Sequence, residues 1–226
     1  MKIKIGALLA SAVFVALSCG TPGAAMASPN LVTDGDFSAG APSGTFTTYF
    51  SGNLIDNVWV VTGSGSGPYG NAGVDLIGNY WSGPPGGGTS VDLDGDAPGG
   101  LVQTLPLVTG KTYDLSFYLS GNPDGSPTTK SVTVSVGGLI HTYTYTLGGA
   151  NSHINMDYTP ENIDFVGNGN QNLTITSNDT DGSPFGPVIG GVSVTAAAVP
   201  EPFTLSLFGA GLAGAAAMRR RRKAKA

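Results

Sequence analysis

Along the middle of the chain, apolar and polar residues alternate with a period of two. In KTYDLSFYLS, residues 111–120, Tyr113, Leu115, Phe117 and Leu119 share one face, while Thr112, Asp114, Ser116 and Tyr118 share the other. Side chains that point to opposite sides at successive residues are those of a half-buried strand. KSVTVSVGG repeats the pattern with Val132, Val134 and Val136 inward. LIHTYTYTLGG alternates threonine with His141, Tyr143 and Tyr145, QNLTITS places Leu173 and Ile175 inward, and GGVSVTA does so with Val192 and Val194. Earlier segments of the same kind are TFTTYF, NVWVV, GVDLIG, TSVDLD and GLVQTL. No internal stretch carries a helical period. Gly and Pro cluster between these runs, as turns do. About ten short strands separated by turns predict an all-β fold, an antiparallel jelly-roll β-sandwich.

The two ends break this pattern. Lys2 and Lys4 precede the apolar run 5–17, and Ala25-Met26-Ala27 offers a small-x-small cleavage site before Ser28. That is a signal helix and signal peptide over residues 1–27. Cys19 is the single cysteine, and Ala16-Leu17-Ser18-Cys19 is a poor lipobox. Cleavage after Ala27 leaves a chain without cysteine, so its stability comes from packing. The body is then residues 28–196 and the tail residues 197–226. In the tail, Val199-Pro200-Glu201-Pro202 is stiff and non-helical, because each proline fixes its own φ and restricts the residue before it. An uncharged segment follows over 203–218, and then a basic cluster over 219–225. Sixteen residues span about 24 Å as a helix, slightly short of a hydrocarbon core of roughly 30 Å. Its apolar residues run all round, and clustered arginines resist translocation. The expectation is a C-terminal transmembrane helix with its basic end in the cytoplasm.

Pro-Glu-Pro, one short apolar helix and an arginine cluster, in that order, resemble the PEP-CTERM sorting signal. The resemblance implies a Gram-negative bacterium that makes exopolysaccharide, with export and transient inner-membrane anchoring. It further implies recognition near Val199, Pro200, Glu201 and Pro202 by an exosortase-type protease, and delivery to the cell surface or extracellular matrix. A second resemblance runs through the body. NLVTDGDFSAG, residues 30–40, looks like the opening strand of galactose-binding-like jelly rolls. VDLIGNYW, SVDLDGDAPGGLVQTL, YDLSFYLSGNPDGSPTTKSVTVSVGG and DGSPFGPVIGGVSV together resemble the choice-of-anchor C family. Polysaccharide binding is what that likeness implies. The fold type often holds a structural calcium on two acidic residues, but the corresponding positions here look like Ser38 and Gly190, so both carboxylates are absent.

Charge adds a constraint. Between residues 28 and 199, two cations (Lys111 and Lys130) face thirteen aspartates and Glu161, a net −12. Such a body repels nucleic acid and anionic lipid. It tolerates divalent cations and neutral or cationic partners. Asp92, Asp94 and Asp96 alternate along VDLDGD, which on a strand sets three carboxylates on one side about 7 Å apart. They are candidate calcium ligands, with Asn122 and Asp124 or Asp179 and Asp181 as further donors. The same positions also fit a solvated strand end before the Pro98-Gly99-Gly100 turn.

Trp59, Tyr69, Tyr80 and Trp81 lie in or beside Gly-rich loops, and a flat ring can stack on a pyranose. Trp59 reads as a core anchor, while Tyr80 and Trp81 form the candidate ligand platform, with Asp75, Asn79 and Gln103 available for sugar hydroxyls. Gly65–Gly70 fits Gly-x-Gly-x-x-Gly, but a strand follows it and there is no helix to receive phosphate. His141 and His153 lack partners at ligand spacing, and no nucleophile or zinc motif is present. The sequence therefore points to a non-catalytic exported protein that contacts glycan. A matrix filler without a ligand, or a carbohydrate-active enzyme, remains compatible with it.

Overall fold

Period-two alternation becomes twelve strands in the computed structural model, which describes residues 28–198 and 204–223. They are β1 (Phe46–Phe50), β2 (Leu54–Ile55), β3 (Trp59–Thr62), β4 (Gly73–Ile77), β5 (Ser90–Asp92), β6 (Gly100–Pro106), β7 (Thr112–Gly121), β8 (Thr129–Val136), β9 (Leu139–Thr146), β10 (Thr159–Val166), β11 (Asn170–Ser177) and β12 (Pro187–Ala196). Two antiparallel sheets of six strands result, ordered β1-β4-β5-β12-β7-β10 and β2-β3-β6-β11-β8-β9. Their inner faces meet in one core. Tyr113, Leu115, Phe117 and Leu119 of β7 pack there with Val132, Val134, Val136, Leu173, Ile175, Val192 and Val194. Each large apolar side chain buried in this way contributes roughly 1.5–3 kcal/mol. His141 lies on the edge strand β9 and is exposed, its ring centroid 4.5 Å from that of Tyr143.

Two strands escape the sequence pattern. β2 has two residues, too few to show a period. β10 carries Pro160 and Glu161, and pairs on one side only, with β7. An edge strand is where a proline, which donates no ladder hydrogen bond, can sit.

The expected opening strand over 30–40 is not a strand. The chain there turns, and it is tied to β12 at single points. Leu31 N–H donates to Val194 O at 2.8 Å, Val192 N–H donates to Gly35 O at 2.8 Å, and Val194 N–H donates to Asn30 Oδ1 at 2.9 Å. β12 shifts register between Gly190 and Ser193, with Gly191 at φ +60°. Before that shift β5 pairs with β12; after it the opening segment occupies that edge. Gln103 clamps the same segment, accepting from Thr33 N–H at 2.7 Å and donating to Thr33 O at 2.9 Å. It is therefore a buried tie and not a sugar contact. Trp59 is fully buried, 5.5 Å from Phe37 between ring centroids, and its indole N–H donates to Asp34 O.

The expected signal helix and signal peptide, with Ala25 and Ala27, lies outside the described residues, as does the motif Val199–Pro202. The tail does form a helix, α1 (Thr204–Lys223), but it carries the basic cluster within it. No helix among the described residues is long and apolar enough to cross a membrane.

Gly35 tests how the opening segment docks. A Cβ there would sit 2.0 Å from Val192 O, whereas one at Gly44 meets nothing within 4 Å. Gly35→Ala should cost at least about 1–3 kcal/mol in urea unfolding, and Gly44→Ala close to nothing.

Candidate functional site

Seven aspartates and one lysine crowd one region of the sandwich. β5 ends at Asp92, and the chain then turns, so Asp92, Asp94 and Asp96 do not form a solvated row on one strand face. Asp92 and Asp94 are buried, and Asp96 is half-buried. Asp92 spends both oxygens internally. Oδ1 accepts from the N–H groups of Asp94 (3.0 Å) and Gly186 (3.1 Å), and Oδ2 from Asn122 Nδ2 (2.7 Å). Neither oxygen of Asp94 has a hydrogen-bond partner. Among the described residues, no group of three or more His, Cys, Asp or Glu is arranged to hold a metal ion. The expected calcium triad is thus replaced by a buried pair and an outlier.

Lys130, on β8, is the counter-charge to that pair. It is fully buried, and its Nζ donates to the carbonyls of Gly125 (3.0 Å) and Phe185. Burial lowers its pKa, and the charges of Asp92, Asp179, Asp94 and Asp181 oppose that shift. One ammonium therefore ties the loop after β7 to the loop before β12. Gly186 completes the contact, because a Cβ there would fall 2.5 Å from Asp94 Cγ and 2.7 Å from Asp92 Oδ1.

Above this layer opens a cavity of about 170 Å³. β1 supplies Phe46 and Thr48; β4 and the loop after it supply Asp75, Ile77, Tyr80 and Trp81. Asp92, Asp96, Asn122 and Asp124 line it as well, and Pro184 and Phe185 close it. Trp81, expected to form the ligand platform with Tyr80, is only 7% exposed, with its indole N–H donating to Ser90 Oγ at 2.9 Å. It backs the cavity, and the more exposed Tyr80 lines it beside Trp81. The Tyr80 ring centroid is 5.3 Å from that of Trp81, 5.6 Å from Phe46 and 4.5 Å from His153. Asp124 fixes this group from the other side, accepting from Tyr80 Oη at 2.9 Å and pairing with His153 Nε2 at 2.7 Å. Asn79 is exposed and does not line the cavity; Asn122 occupies the amide role there. Asp75 accepts from Thr48 Oγ1 at 2.6 Å.

Tyr80, Trp81, Asp75, Asp92 and Asp96 thus converge although the sequence assigned them to two separate sites. Phe46, Phe185 and the His153–Asp124 pair had no legible signal. Their separations in sequence are long, and no local period connects them.

Burial pushes the Asp75 carboxyl up to about 6, with the charge of Asp96 adding to the shift, against the Thr48 hydroxyl. Burial raises Asp94 to about 7, with Asp179 adding and Lys130 opposing, and it raises Asp92 well above the usual carboxylate range. An acid whose pKa is raised on folding binds more protons folded than unfolded, so stability falls as pH climbs through the interval. The contribution is fully present below the unfolded value near 3.8 and is lost by about 7. At about 1.4 kcal/mol per unit, Asp94 sets a ceiling of roughly 4 kcal/mol. Melting temperature should therefore fall between about pH 4 and pH 7.5, and Asp94→Asn should raise it at about pH 8 with little change at about pH 4.

Comparison with known proteins identifies the family. One curated relative, Halomucin of Haloquadratum walsbyi, is 35% identical over 97 residues, 42% of this chain. That match spans 1% of Halomucin's own length. Among solved structures, a family 61 carbohydrate-binding module in complex with β-1,4-galactotriose gives a TM-score of 0.48 at 19% identity, covering 75% of this chain and 100% of that one. A family 35 module from Clostridium thermocellum gives 0.37 at 14% identity, covering 68% and 100%. Both scores lie below 0.5, and neither likeness carries anything about a ligand. Family models match most of the chain: the PEP-CTERM protein-sorting motif over residues 198–222, and DUF642, a protein family of unknown function, over residues 30–195. The chain belongs to the DUF642 family and carries a PEP-CTERM sorting motif.

Proposed function

We propose that this is an exported, non-catalytic protein of the bacterial cell surface or extracellular matrix, whose strand body associates with polysaccharide through the Tyr80–Trp81 cavity. The division of labour runs along the chain: a signal peptide over 1–27, the sandwich over 28–196 and a sorting tail over 197–226. In this reading the tail anchors the chain transiently at the inner membrane in transit. Arg219 and its neighbours hold the cytoplasmic end, and an exosortase-type protease releases the body near Pro200-Glu201-Pro202. The matching PEP-CTERM motif supports that route.

One observation carries the glycan reading: a cavity of about 170 Å³ that sets a ring wall beside hydrogen-bonding groups. Phe46 and Tyr80 offer ring surface for the C–H face of a pyranose. Asp75, Asp96 and Asn122 line the same cavity, within reach of sugar hydroxyls. Few polar groups beside an apolar wall are the usual make-up of a small-ligand site. The His153–Asp124–Tyr80 contacts hold the Tyr80 ring in place before any ligand arrives, which lowers the ordering cost of binding.

Retention of the purified chain on extracted exopolysaccharide, by affinity electrophoresis, tests this. Tyr80→Ala should weaken retention about tenfold while leaving the circular dichroism spectrum unchanged. A folded wild-type chain that no glycan retards would point to a matrix filler. Release of reducing ends, lost on an Asp→Asn substitution in the cavity, would point to an enzyme.

A further inference from the structure

The cavity is built for a positive charge, although the protein brings none to it. Asp75 comes from β4 and Asp96 from the loop between β5 and β6, and the charge of Asp96 raises the cost of ionising Asp75. Cations from the body are committed elsewhere. Lys130 Nζ is spent on the Gly125 and Phe185 carbonyls beneath Asp92. Lys111 lies 5.9 Å from the centroid of the Tyr113 ring. His153 Nε2 lies 2.7 Å from Asp124 Oδ1, the one such contact between a basic and an acidic side chain among the described residues of the sandwich. Asp92 and Asp124 have their oxygens filled by protein donors, as described above. Asp75 gives one oxygen to Thr48, and Asp96 stands half-buried at the mouth. Two carboxylates therefore face the cavity without a counter-ion.

The opposite wall supports the same ligand through independent chemistry. Phe46, Tyr80 and Trp81 form a continuous run of rings, with centroid spacings of 5.6 and 5.3 Å. Ring faces attract an ammonium group through their quadrupole, and more strongly where water is excluded. A calcium ion would gain nothing from rings and would need six to eight oxygens, and no group of three or more acidic side chains among the described residues is arranged to hold a metal. A neutral sugar would use the rings but leave the paired carboxylates uncompensated. A sugar bearing a free amine uses both.

We propose that the cavity selects an amino sugar within a glycan, its ammonium group held between Asp75 and Asp96 against the Phe46–Tyr80–Trp81 wall. This rests on the glycan reading above and names the sugar class. In the reading above, the tail directs the body to a polysaccharide matrix. A −12 body would be repelled by acidic glycans and drawn to one that carries amines.

Calorimetry of the full-length chain with glucosamine oligosaccharides, set against their N-acetylated counterparts of equal length, decides it. The expected result is at least a tenfold preference for the free amine at about 50 mM salt, shrinking at about 500 mM as charge is screened. The Asp75→Asn and Asp96→Asn double variant should bring the two oligosaccharides to within about twofold of each other. Should that variant fail to fold, the acetylation and salt comparisons on the unaltered chain decide it alone. Equal, salt-insensitive affinity for both oligosaccharides would overturn the amine assignment and leave glycan binding standing. Binding of a lysine-rich peptide in place of either oligosaccharide would overturn the glycan reading itself. So would the absence of binding to all three.

Discussion

A single buried ammonium organises the acidic end of this sandwich. Lys130 lies inside a body of net charge −12, beneath Asp92 and Asp94, and donates to carbonyls on two separate loops. Burying a charge is costly unless it is paired and hydrogen-bonded. Here each side meets part of that cost for the other. The carboxylates offset the desolvation of the lysine, and the lysine offsets part of their mutual repulsion. Phe185 and Asn122, which line the cavity above, are carried on the segments this arrangement holds together. The shape of the candidate site therefore depends on a contact that lies one layer below it.

That contact also explains why the cavity remains negative. Lys130 donates to two backbone carbonyls, and its charge is set against Asp92, Asp94, Asp179 and Asp181, so it lends little to Asp75 and Asp96. His153 is likewise committed to Asp124. A protein with so few cations cannot spread them evenly over its carboxylates. The uncompensated ones collect where loops from β1, β4, β5 and β7 meet. Recognition by charge thus follows from composition and packing together, and neither alone places it.

Some of this was legible in the chain. Tyr113, Leu115, Phe117 and Leu119 announce β7 because a strand buried on one face must alternate. Trp59 inside an apolar run reads as core, and it is core. The reading failed where local pattern and tertiary demand diverge. The segment 30–40 looks like a strand but is held by Gln103 and β12 through point contacts. Asp92-x-Asp94-x-Asp96 looks like one solvated face, yet the strand ends at Asp92 because the chain must turn back on itself at Gly95 and Gly99. Trp81 reads as part of a ligand platform among glycines and prolines, but Ser90 gives its N–H a buried partner. β10 went unseen because Pro160 and Glu161 suit an edge and resemble a loop.

The sequence by itself determined the strand faces, the acidic character of the body and the three-part sorting tail. Each of these is a property of neighbours along the chain: alternation at period two, a charge balance, an ordered motif. Tertiary structure alone decided which aspartates share a cavity, which lysine is buried under them and which rings line it. Those facts depend on the order of strands across the two sheets, which brings Phe46, Asp75, Asp96, Asn122 and Phe185 together from segments nearly 140 residues apart. Pairing partners are chosen by packing over the whole core, and no local period records that choice.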